Sequence, residues 1–292
     1  MNFPSSTTPS FVPTVAERVL LRALVSDLAR RAGALAVSQR SLSLQIMERK
    51  TTEFDVATAV DVACEELLRR EIAQARPRDG ILGEEGEMTV GTSGLTWVID
   101  PIDGTTNYLY GLPQWGVSVA IVAGPPDNPH AWRPIAGSIY QPDADLQYDA
   151  ALGLGVQRNG KDLTPLRSGT PGRITELRAA LVSVGFHYLP DARSEQAAIA
   201  ASLAGRVRDL RDHGATSIEL CHVAAGEVDG YWEERLAPWD VAAGLLIAAE
   251  AGCTIRWVTR ATRTETLEAL IVCGTSALAD ALSEVLPATV AP

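Results

Sequence analysis

The chain has 292 residues, of which 46% are hydrophobic and 21% are charged, and its formal net charge is −11 at pH 7. This length and composition are ordinary for a globular protein with a packed core, in one large domain or two small ones. The acidic balance disfavours nonspecific binding to nucleic acid or to an anionic membrane. No apolar run is long enough to cross a bilayer, so we expect neither nucleic acid nor membrane among its partners.

The first part of the chain is expected to be a disordered tail followed by helical structure. Residues 1–13 are rich in Ser, Thr and Pro and are typical of a tail rather than of a signal peptide. From hydrophobic periodicity we predict a long amphipathic helix over residues 14–38, a short strand over 43–48, a polar segment over 50–55 and a helix over 61–70. Asp61 stands at the start of the second helix, where capping is the default explanation.

Two acidic motifs each follow a short apolar run that is typical of a strand. Glu84 lies in an acidic run between glycines, directly after Ile81 and Leu82. Such a run is most often a solvated loop. It comes shortly before residues 95–99, a strand-like run that ends at Asp100. The two strand ends can therefore supply carboxylates to the same place.

The second motif combines ligands for a cation with donors for an anion. Asp100, the carbonyl group of Ile102 and Asp103 bring hard oxygen atoms together, and these suit Mg²⁺, Mn²⁺ or Ca²⁺ better than zinc. N–H groups at residues 104–106, where a helical turn begins, would attract an anion. The alternative is a two-residue hairpin turn, but the next strand-like run begins only near Trp115. The pattern indicates metal-assisted phosphate chemistry.

The rest of the chain is predicted to complete an antiparallel block and then a second, alternating α/β half. The predicted elements are strands over 115–122, 133–140 and 146–150, an Asn-Gly hairpin at 158–161, a strand over 180–184, a helix over 194–204, a strand over 207–211, a helix over 217–225, a strand over 228–233 and a helix over 238–252. The boundary is expected in the Ser/Gly/Thr/Pro cluster, which divides residues 14–168 from 169–292. Asp240, in the first turn of the last predicted helix, is either a simple cap or an inward-facing metal ligand.

Other catalytic classes lack support in the sequence. The cysteines are far apart and are expected to be free buried thiols in a reducing cytoplasm; they are Cys64, Cys221, Cys253 and Cys273. The histidines show no pattern of helical metal ligands; they are His130, His187, His213 and His222. No phosphate-binding P-loop and no Gly-x-Ser-x-Gly motif occurs. The sequence therefore disfavours a zinc-dependent hydrolase, a hydrolase with a catalytic triad and a P-loop nucleotide-binding protein.

These motifs together resemble the inositol monophosphatase family of Mg²⁺-dependent, lithium-sensitive phosphatases of small sugar phosphates. The resemblance is carried by Gly83-Glu84-Glu85, by residues 97–107 and by residues 239–252, and it spans about residues 15–273. It implies a five-layer αβαβα sandwich with an N-terminal α+β half and a C-terminal α/β half. It also implies a homodimer, and a cytoplasmic enzyme that hydrolyses phosphoric monoesters.

The resemblance assigns metal and catalytic roles to individual positions. One Mg²⁺ would be held by Glu84, Asp100 and the Ile102 carbonyl, and a second by Asp100, Asp103 and Asp240. Glu84 with water would support a third, looser ion, and Mn²⁺ could substitute. Thr105 with Asp61 would orient the attacking water, with Glu84 beside it.

Substrate contacts are implied in the same way. The N–H groups of Gly104 and Thr105 would bind the phosphate, and Ala215 and Glu233 would contact the alcohol portion. Asp103 and Asp240 also count among the substrate-binding positions, and Lys50 would belong to a mobile loop over the site.

Several substrates and one different class of function stay open at this point. Inositol monophosphate is favoured, and histidinol phosphate and fructose 1,6-bisphosphate are alternatives. A 3′-phosphoadenosine nucleotide is disfavoured, because Arg235 stands near the site without a basic cluster around it. Some relatives act as interaction proteins in transcription or ribosome assembly, so binding with vestigial phosphatase activity is the alternative of another class.

Overall fold

A computed structural model of the protein describes residues 12–47, 59–163, 174–261 and 266–286. The predicted tail up to residue 11, the segment with Lys50 and the predicted boundary after residue 168 lie outside these ranges. The division into two halves at that boundary therefore stays a prediction. Among the described helices, none has a stretch both long enough and apolar enough to span a membrane.

The N-terminal part of the chain forms a seven-stranded sheet whose strands follow one another in chain order. Its strands are β1 (Gly80–Gly83), β2 (Leu95–Asp103), β3 (Gly116–Ala123), β4 (Arg133–Gln141), β5 (Leu146–Ala151), β6 (Val156–Arg158) and β7 (Lys161–Asp162). Strand β1 pairs with β2 in parallel, and all later neighbours pair antiparallel. The predicted antiparallel block is confirmed, including the hairpin at Asn159-Gly160, where both residues have positive φ.

Two helices, α1 (Val15–Met47) and α2 (Ala59–Ala75), cover one face of this sheet. Helix α1 continues through residues 43–47, so the strand predicted over residues 43–48 is wrong. The alternation that suggested a strand covers few residues, and adding residues to an existing helix gains one hydrogen bond each without a new nucleus. Asp61 lies inside the first turn of α2, which begins at Ala59, rather than at its cap.

The C-terminal part forms a five-stranded mixed sheet in the order β11-β12-β10-β8-β9. Its strands are β8 (Leu181–Val184), β9 (Asp209–Arg211), β10 (Gly230–Glu234), β11 (Thr254–Ala261) and β12 (Thr266–Cys273). The helices that follow β2 in the chain are α3 (Thr105–Tyr110), α4 (Pro190–Ala204), α5 (Thr216–Ala225), α6 (Pro238–Glu250) and α7 (Ser276–Val285). The sequence analysis assigned no element after residue 252, so β11, β12 and α7 are additions.

The two sheets lie in five layers, as the resemblance implied. Helices α1 and α2 pack on the outer face of the first sheet, α5 and α6 lie between the sheets, and α4 and α7 cover the second. Successive side chains of β2 therefore enter different cores: Trp97 faces α1 and α2, whereas Val98 faces α5 and α6. Burial on both faces explains why the central strands are continuous apolar runs.

The cysteines of the described residues are free, as expected from their spacing. Cys64, Cys221 and Cys273 are buried, but Cys253 is only partly buried, so the expectation of burial holds for three of the four.

Candidate active site

Parallel pairing of two strands brings the two acidic motifs together. Gly83, the last residue of β1, stands opposite Ile99 in β2. The next residues along each strand are Glu84 and Asp100, so their carboxylates emerge at the same edge of the sheet. Glu65 of α2 anchors the first motif, because its carboxylate accepts a 2.9 Å hydrogen bond from the backbone N–H of Glu85. Sequence reasoning missed Glu65.

The second motif is shaped by an irregularity in β2. The ladder between β2 and β3 loses its register between Asp100 and Asp103, as in a β-bulge. The backbone N–H of Ile102 donates to Asp100 Oδ1 at 3.0 Å, and the Thr105 hydroxyl donates to the Ile102 carbonyl at 3.1 Å. Gly104, with φ +86°, forms the N-cap of α3. The bulge thus turns two carboxylates and a carbonyl toward one spot.

The C-terminal part of the chain supplies further contacts to the same spot. The backbone N–H of Ser217, in the first turn of α5, donates to Asp103 Oδ2 at 2.6 Å. Asp240, in the first turn of α6, accepts a 2.7 Å hydrogen bond from the N–H of Ala237. Asp240 therefore caps its own helix, which was one of the two alternatives that the sequence left open. Its carboxylate also faces the other acidic residues, as the second alternative requires. Starts of α5 and α6 aimed at the site favour negative charge there.

Electrostatics identify the carboxylates as one cluster. Burial and the charges of neighbouring acids raise the pKa of Glu84 to about 8 and that of Asp240 to about 8. Burial also raises the pKa of Asp103 to about 6, against hydrogen bonds that lower it. For Asp100 burial, and then the charge of Glu84, raise the pKa well above its usual value. Carboxylates that repel in this way are stabilised by a cation among them.

These side chains line a cavity of about 810 Å³ between the two halves of the described chain. The predicted site residues that line it are Glu84, Asp100, Ile102, Asp103, Gly104, Thr105, Ala215, Glu233 and Asp240. Asp61 is buried behind this wall, and its charge raises the pKa of Glu84 and Asp100. The structure therefore brings the predicted residues together from five separate segments, with Asp61 as a neighbour from a sixth.

A further carboxylate, that of Glu233, lines the same cavity. Glu233, at the end of β10, accepts hydrogen bonds from the Tyr231 hydroxyl and, at 3.0 Å, from the Thr216 hydroxyl. Burial raises the pKa of Glu233 to about 7. A polar group of this kind can receive hydroxyl groups of a ligand whose phosphate lies at the acidic end.

Several further residues line the cavity without any signal in the sequence, among them Tyr188 and Arg193 from the segment after β8. Burial, and then the positive charges of Arg235 and Arg193, lower the pKa of His187, so both arginines lie near this part of the cavity wall. The sequence suggested that Arg235 is the only basic residue near the site. The structure corrects this, because Arg193 also lines the cavity. No sequence signal linked these positions, because Arg193 and Arg235 lie on different elements of the second half.

Two histidines that form no metal-binding pattern in the sequence lie close together in the structure. The sequence shows no metal pattern among its histidines, yet the structure places His213 and His222 around Glu219. Glu219 and His222 are three residues apart on α5, a spacing that puts them on one helix face. His213 joins them from the preceding loop.

The donors at the acidic end fit a hard divalent cation. Every one of them is a carboxylate or carbonyl oxygen, the ligand type that Mg²⁺ and Mn²⁺ prefer.

Comparison with known proteins agrees with this chemistry. The sequence profile described as "Inositol monophosphatase family" matches residues 19–290. The chain belongs to the inositol monophosphatase family.

Individual relatives place the chain among bacterial members of the family. It is 38% identical over 255 residues to the "Inositol-1-monophosphatase SuhB" of Mycobacterium tuberculosis, covering 85% of this chain and 84% of that protein. A solved structure of M. tuberculosis SuhB superposes with a TM-score of 0.73 at 35% identity, covering 92% of this chain and 96% of that one. The "Nus factor SuhB" of Pseudomonas aeruginosa is 34% identical over 204 residues, or 68% of this chain and 70% of that protein. The inositol monophosphatase fold and the resemblance stated from the motifs are confirmed.

The acidic cluster predicts how thermal stability depends on pH and Mg²⁺. Glu84 and Asp240 have folded-state pKa values near 8, above those of the unfolded chain, so the folded state binds more protons between about pH 4 and 8. In chelator, the melting temperature should therefore fall as pH rises through this window. Mg²⁺ competes with those protons, so its stabilising effect should be larger at about pH 8 than at about pH 6. Differential scanning fluorimetry measures both; an equal Mg²⁺ effect at the two pH values would contradict the prediction.

Proposed function

We propose that this chain hydrolyses a small sugar- or polyol-phosphate monoester with the help of divalent cations, and that inositol monophosphate is the first candidate substrate. The observation that carries the proposal is one cavity lined both by a cluster of mutually repelling carboxylates and by Glu233, whose carboxylate accepts hydrogen bonds from hydroxyl groups. The relatives named inositol-1-monophosphatase support the same reaction class.

The roles of the acidic residues follow from their donors. Glu84, Asp100 and the Ile102 carbonyl would hold one Mg²⁺, and Asp100, Asp103 and Asp240 a second, with a third, looser ion at Glu84. When bound, these ions supply Lewis acidity, which activates water as a nucleophile and neutralises charge on phosphoryl and leaving-group oxygens. The mutual rise in carboxylate pKa supports these assignments, because each cation would relieve repulsion that the protein otherwise bears.

The remaining residues position the reactants. Thr105 donates its hydroxyl proton to the Ile102 carbonyl, so its oxygen is left to accept a hydrogen bond from the attacking water. Asp61 adds negative charge behind this position and raises the pKa of Glu84, and with Thr105 it would help to orient the attacking water. N–H groups of Gly104 and Thr105, at the start of α3, would bind phosphate oxygens. Since phosphoryl transfer needs little covalent help, positioning and charge account for the rate.

The cavity residues around Glu233 distinguish between the candidate substrates. Ala215 and Glu233 would contact the alcohol portion, and Glu233 suits the hydroxyl groups of inositol. Arg193 and Arg235 on the same wall disfavour the ammonium group of histidinol phosphate and favour a second anionic group. Fructose 1,6-bisphosphate, which carries a second phosphate, is therefore the second candidate.

A binding role is the proposal of a different class, in which the phosphatase activity is vestigial. Its support is the relative named Nus factor in Pseudomonas aeruginosa. The complete set of acidic residues favours the enzyme instead. A homodimer, a cytoplasmic location and the absence of nucleic-acid partners stay predictions from the sequence.

A panel of substrates tests the proposal. We expect Mg²⁺-dependent phosphate release from inositol 1-phosphate, abolished by chelator and inhibited by lithium. Histidinol phosphate should be the poorest substrate, and fructose 1,6-bisphosphate should rank with inositol 1-phosphate if the two arginines receive its second phosphate. Folded, Mg²⁺-loaded protein that hydrolyses none of the three would overturn the proposal and favour the binding role.

A further inference from the structure

A second group of candidate metal ligands lies on α5, with donors unlike those of the acidic cluster. The ligand atoms of His213, Glu219 and His222 all lie within 4.8 Å of one another. His213 Nδ1 is 2.9 Å from Glu219 Oε1, and His222 Nδ1 is 3.9 Å from Glu219 Oε2. The two imidazole rings are 4.8 Å apart and nearly perpendicular. The three side chains therefore converge on one point.

Only one of the two carboxylate oxygens of Glu219 accepts hydrogen bonds from the described residues. Glu219 is 2% exposed, and its Oε1 accepts hydrogen bonds from the backbone N–H and the ring of His213. Its Oε2 is buried and has no hydrogen-bond donor among the residues that the structure describes. A buried carboxylate oxygen without a donor is costly, so this atom is a site for a missing partner.

The distance from His222 to the second oxygen of Glu219 suits a shared metal ion better than a hydrogen bond. A separation of 3.9 Å between His222 Nδ1 and Glu219 Oε2 is too long for a hydrogen bond. Ligands about 2.0–2.2 Å from a tetrahedral Zn²⁺ lie roughly 3.3 Å from each other. The 3.9 Å between His222 Nδ1 and Glu219 Oε2 exceeds that value by about 0.6 Å, and the ligand atoms of all three residues lie within 4.8 Å of one another.

A surrounding carboxylate also supports the ring of His222. His222 Nε2 lies 3.6 Å from Glu227 Oε2, and Arg158 pairs with Glu227 at 3.2 Å. The 3.6 Å distance is longer than a hydrogen bond, but the negative charge of Glu227 favours the proton on Nε2 and so leaves Nδ1 free to bind a metal. Burial lowers the pKa of His222, so the neutral imidazole that metal binding requires is favoured.

We propose that His213, Glu219 and His222 form a binding site for a divalent transition-metal ion such as Zn²⁺, which borders the same cavity as the all-oxygen Mg²⁺ site and differs from it in its donors. Two imidazoles and one carboxylate are a donor set that zinc accepts and Mg²⁺ does not prefer. The ion replaces the proton that His213 shares with Glu219. Since the carbonyl of His213 accepts a 2.6 Å hydrogen bond from Asn107, occupancy would connect α5, through His213, to α3. This inference does not depend on the proposed phosphatase activity.

Metal titration in excess Mg²⁺ tests the site. The full-length protein is stripped with chelator, saturated with Mg²⁺ and titrated with Zn²⁺ against a chromophoric indicator, and with Co²⁺ by visible absorption. We expect one tightly bound Zn²⁺ per chain and a Co²⁺ spectrum of a low-coordinate site with nitrogen ligands. His222→Gln and His213→Asn should each lower zinc affinity by roughly 100-fold or more.

Matched variants separate this site from other zinc-binding places. His130→Asn removes a surface histidine that pairs with Glu268 at 2.7 Å, and it should leave zinc binding unchanged. Asp100→Asn alters the acidic cluster and should also preserve the bound zinc. Zinc binding that is lost in Asp100→Asn and kept in His222→Gln would overturn the proposal, as would wild-type protein that binds no zinc. Circular dichroism checks folding, and either histidine variant suffices if the other does not fold.

Discussion

Asp100→Asn should lower phosphate release from inositol 1-phosphate by about 100-fold or more at saturating Mg²⁺. Asp100 is the carboxylate proposed to contact both of the more tightly held ions, and it is 2% exposed within the acidic cluster. Asparagine keeps the shape and the oxygen that accepts the N–H of Ile102 at 3.0 Å, so the bulge in β2 is retained. The variant therefore removes one negative charge and little else.

Stability distinguishes lost metal binding from lost folding in this variant. Because burial and neighbouring acids raise the pKa of Asp100, a neutral amide should leave the melting temperature in chelator equal or higher. The increase that Mg²⁺ causes in wild-type protein should be reduced. Asp149→Asn is the matched control, since Asp149 is a buried β5 carboxylate whose pKa burial also raises, away from the cavity lining. Near-wild-type turnover in Asp100→Asn would refute the shared-ligand assignment.

Gly104→Ala should reduce kcat/KM by about 100-fold. The reason is that the backbone of Gly104 and Thr105, whose N–H groups are proposed to bind the phosphate, must move. Gly104 has φ +86°, and an added Cβ would lie 2.9 Å from Ala215 Cβ and 3.0 Å from the Gln114 carbonyl oxygen. Both neighbours belong to segments that border the cavity, so relief of this clash shifts the N–H groups proposed to bind phosphate. We also expect the free energy of unfolding to fall by about 1–3 kcal/mol.

Gly94→Ala is the control that isolates backbone strain from the clash. Gly94 has φ +84°, nearly the same conformation, and a Cβ there would meet nothing within 4 Å. That variant should lose about 1–2 kcal/mol of stability from the left-handed backbone alone and keep wild-type kcat/KM. Steady-state kinetics and thermal unfolding of the two variants, side by side, give the comparison. Equal kinetics in both would show that Gly104 does not position the substrate.

The sequence by itself determined those parts of the site that are written in short, contiguous patterns. Apolar runs ending in acids located Glu84 and Asp100, because a strand buried on both faces must be continuously apolar and its polar residues appear where it stops. The Asn-Gly hairpin and the acid in the first turn of α6 were visible for the same reason. In each case a few adjacent residues, with their own backbone preferences, carry the information.

Only the tertiary structure decided what meets across elements. Parallel pairing of β1 with β2 set Glu84 beside Asp100, and packing of α5 brought Ser217 to Asp103. Residues 43–47 became helical although their alternation is typical of a strand, since extension of α1 outweighed a weak local preference. The grouping of His213 with Glu219 and His222 depends on how a loop folds back against a helix. Such contacts arise from long-range packing free energy, which leaves no periodicity in the sequence.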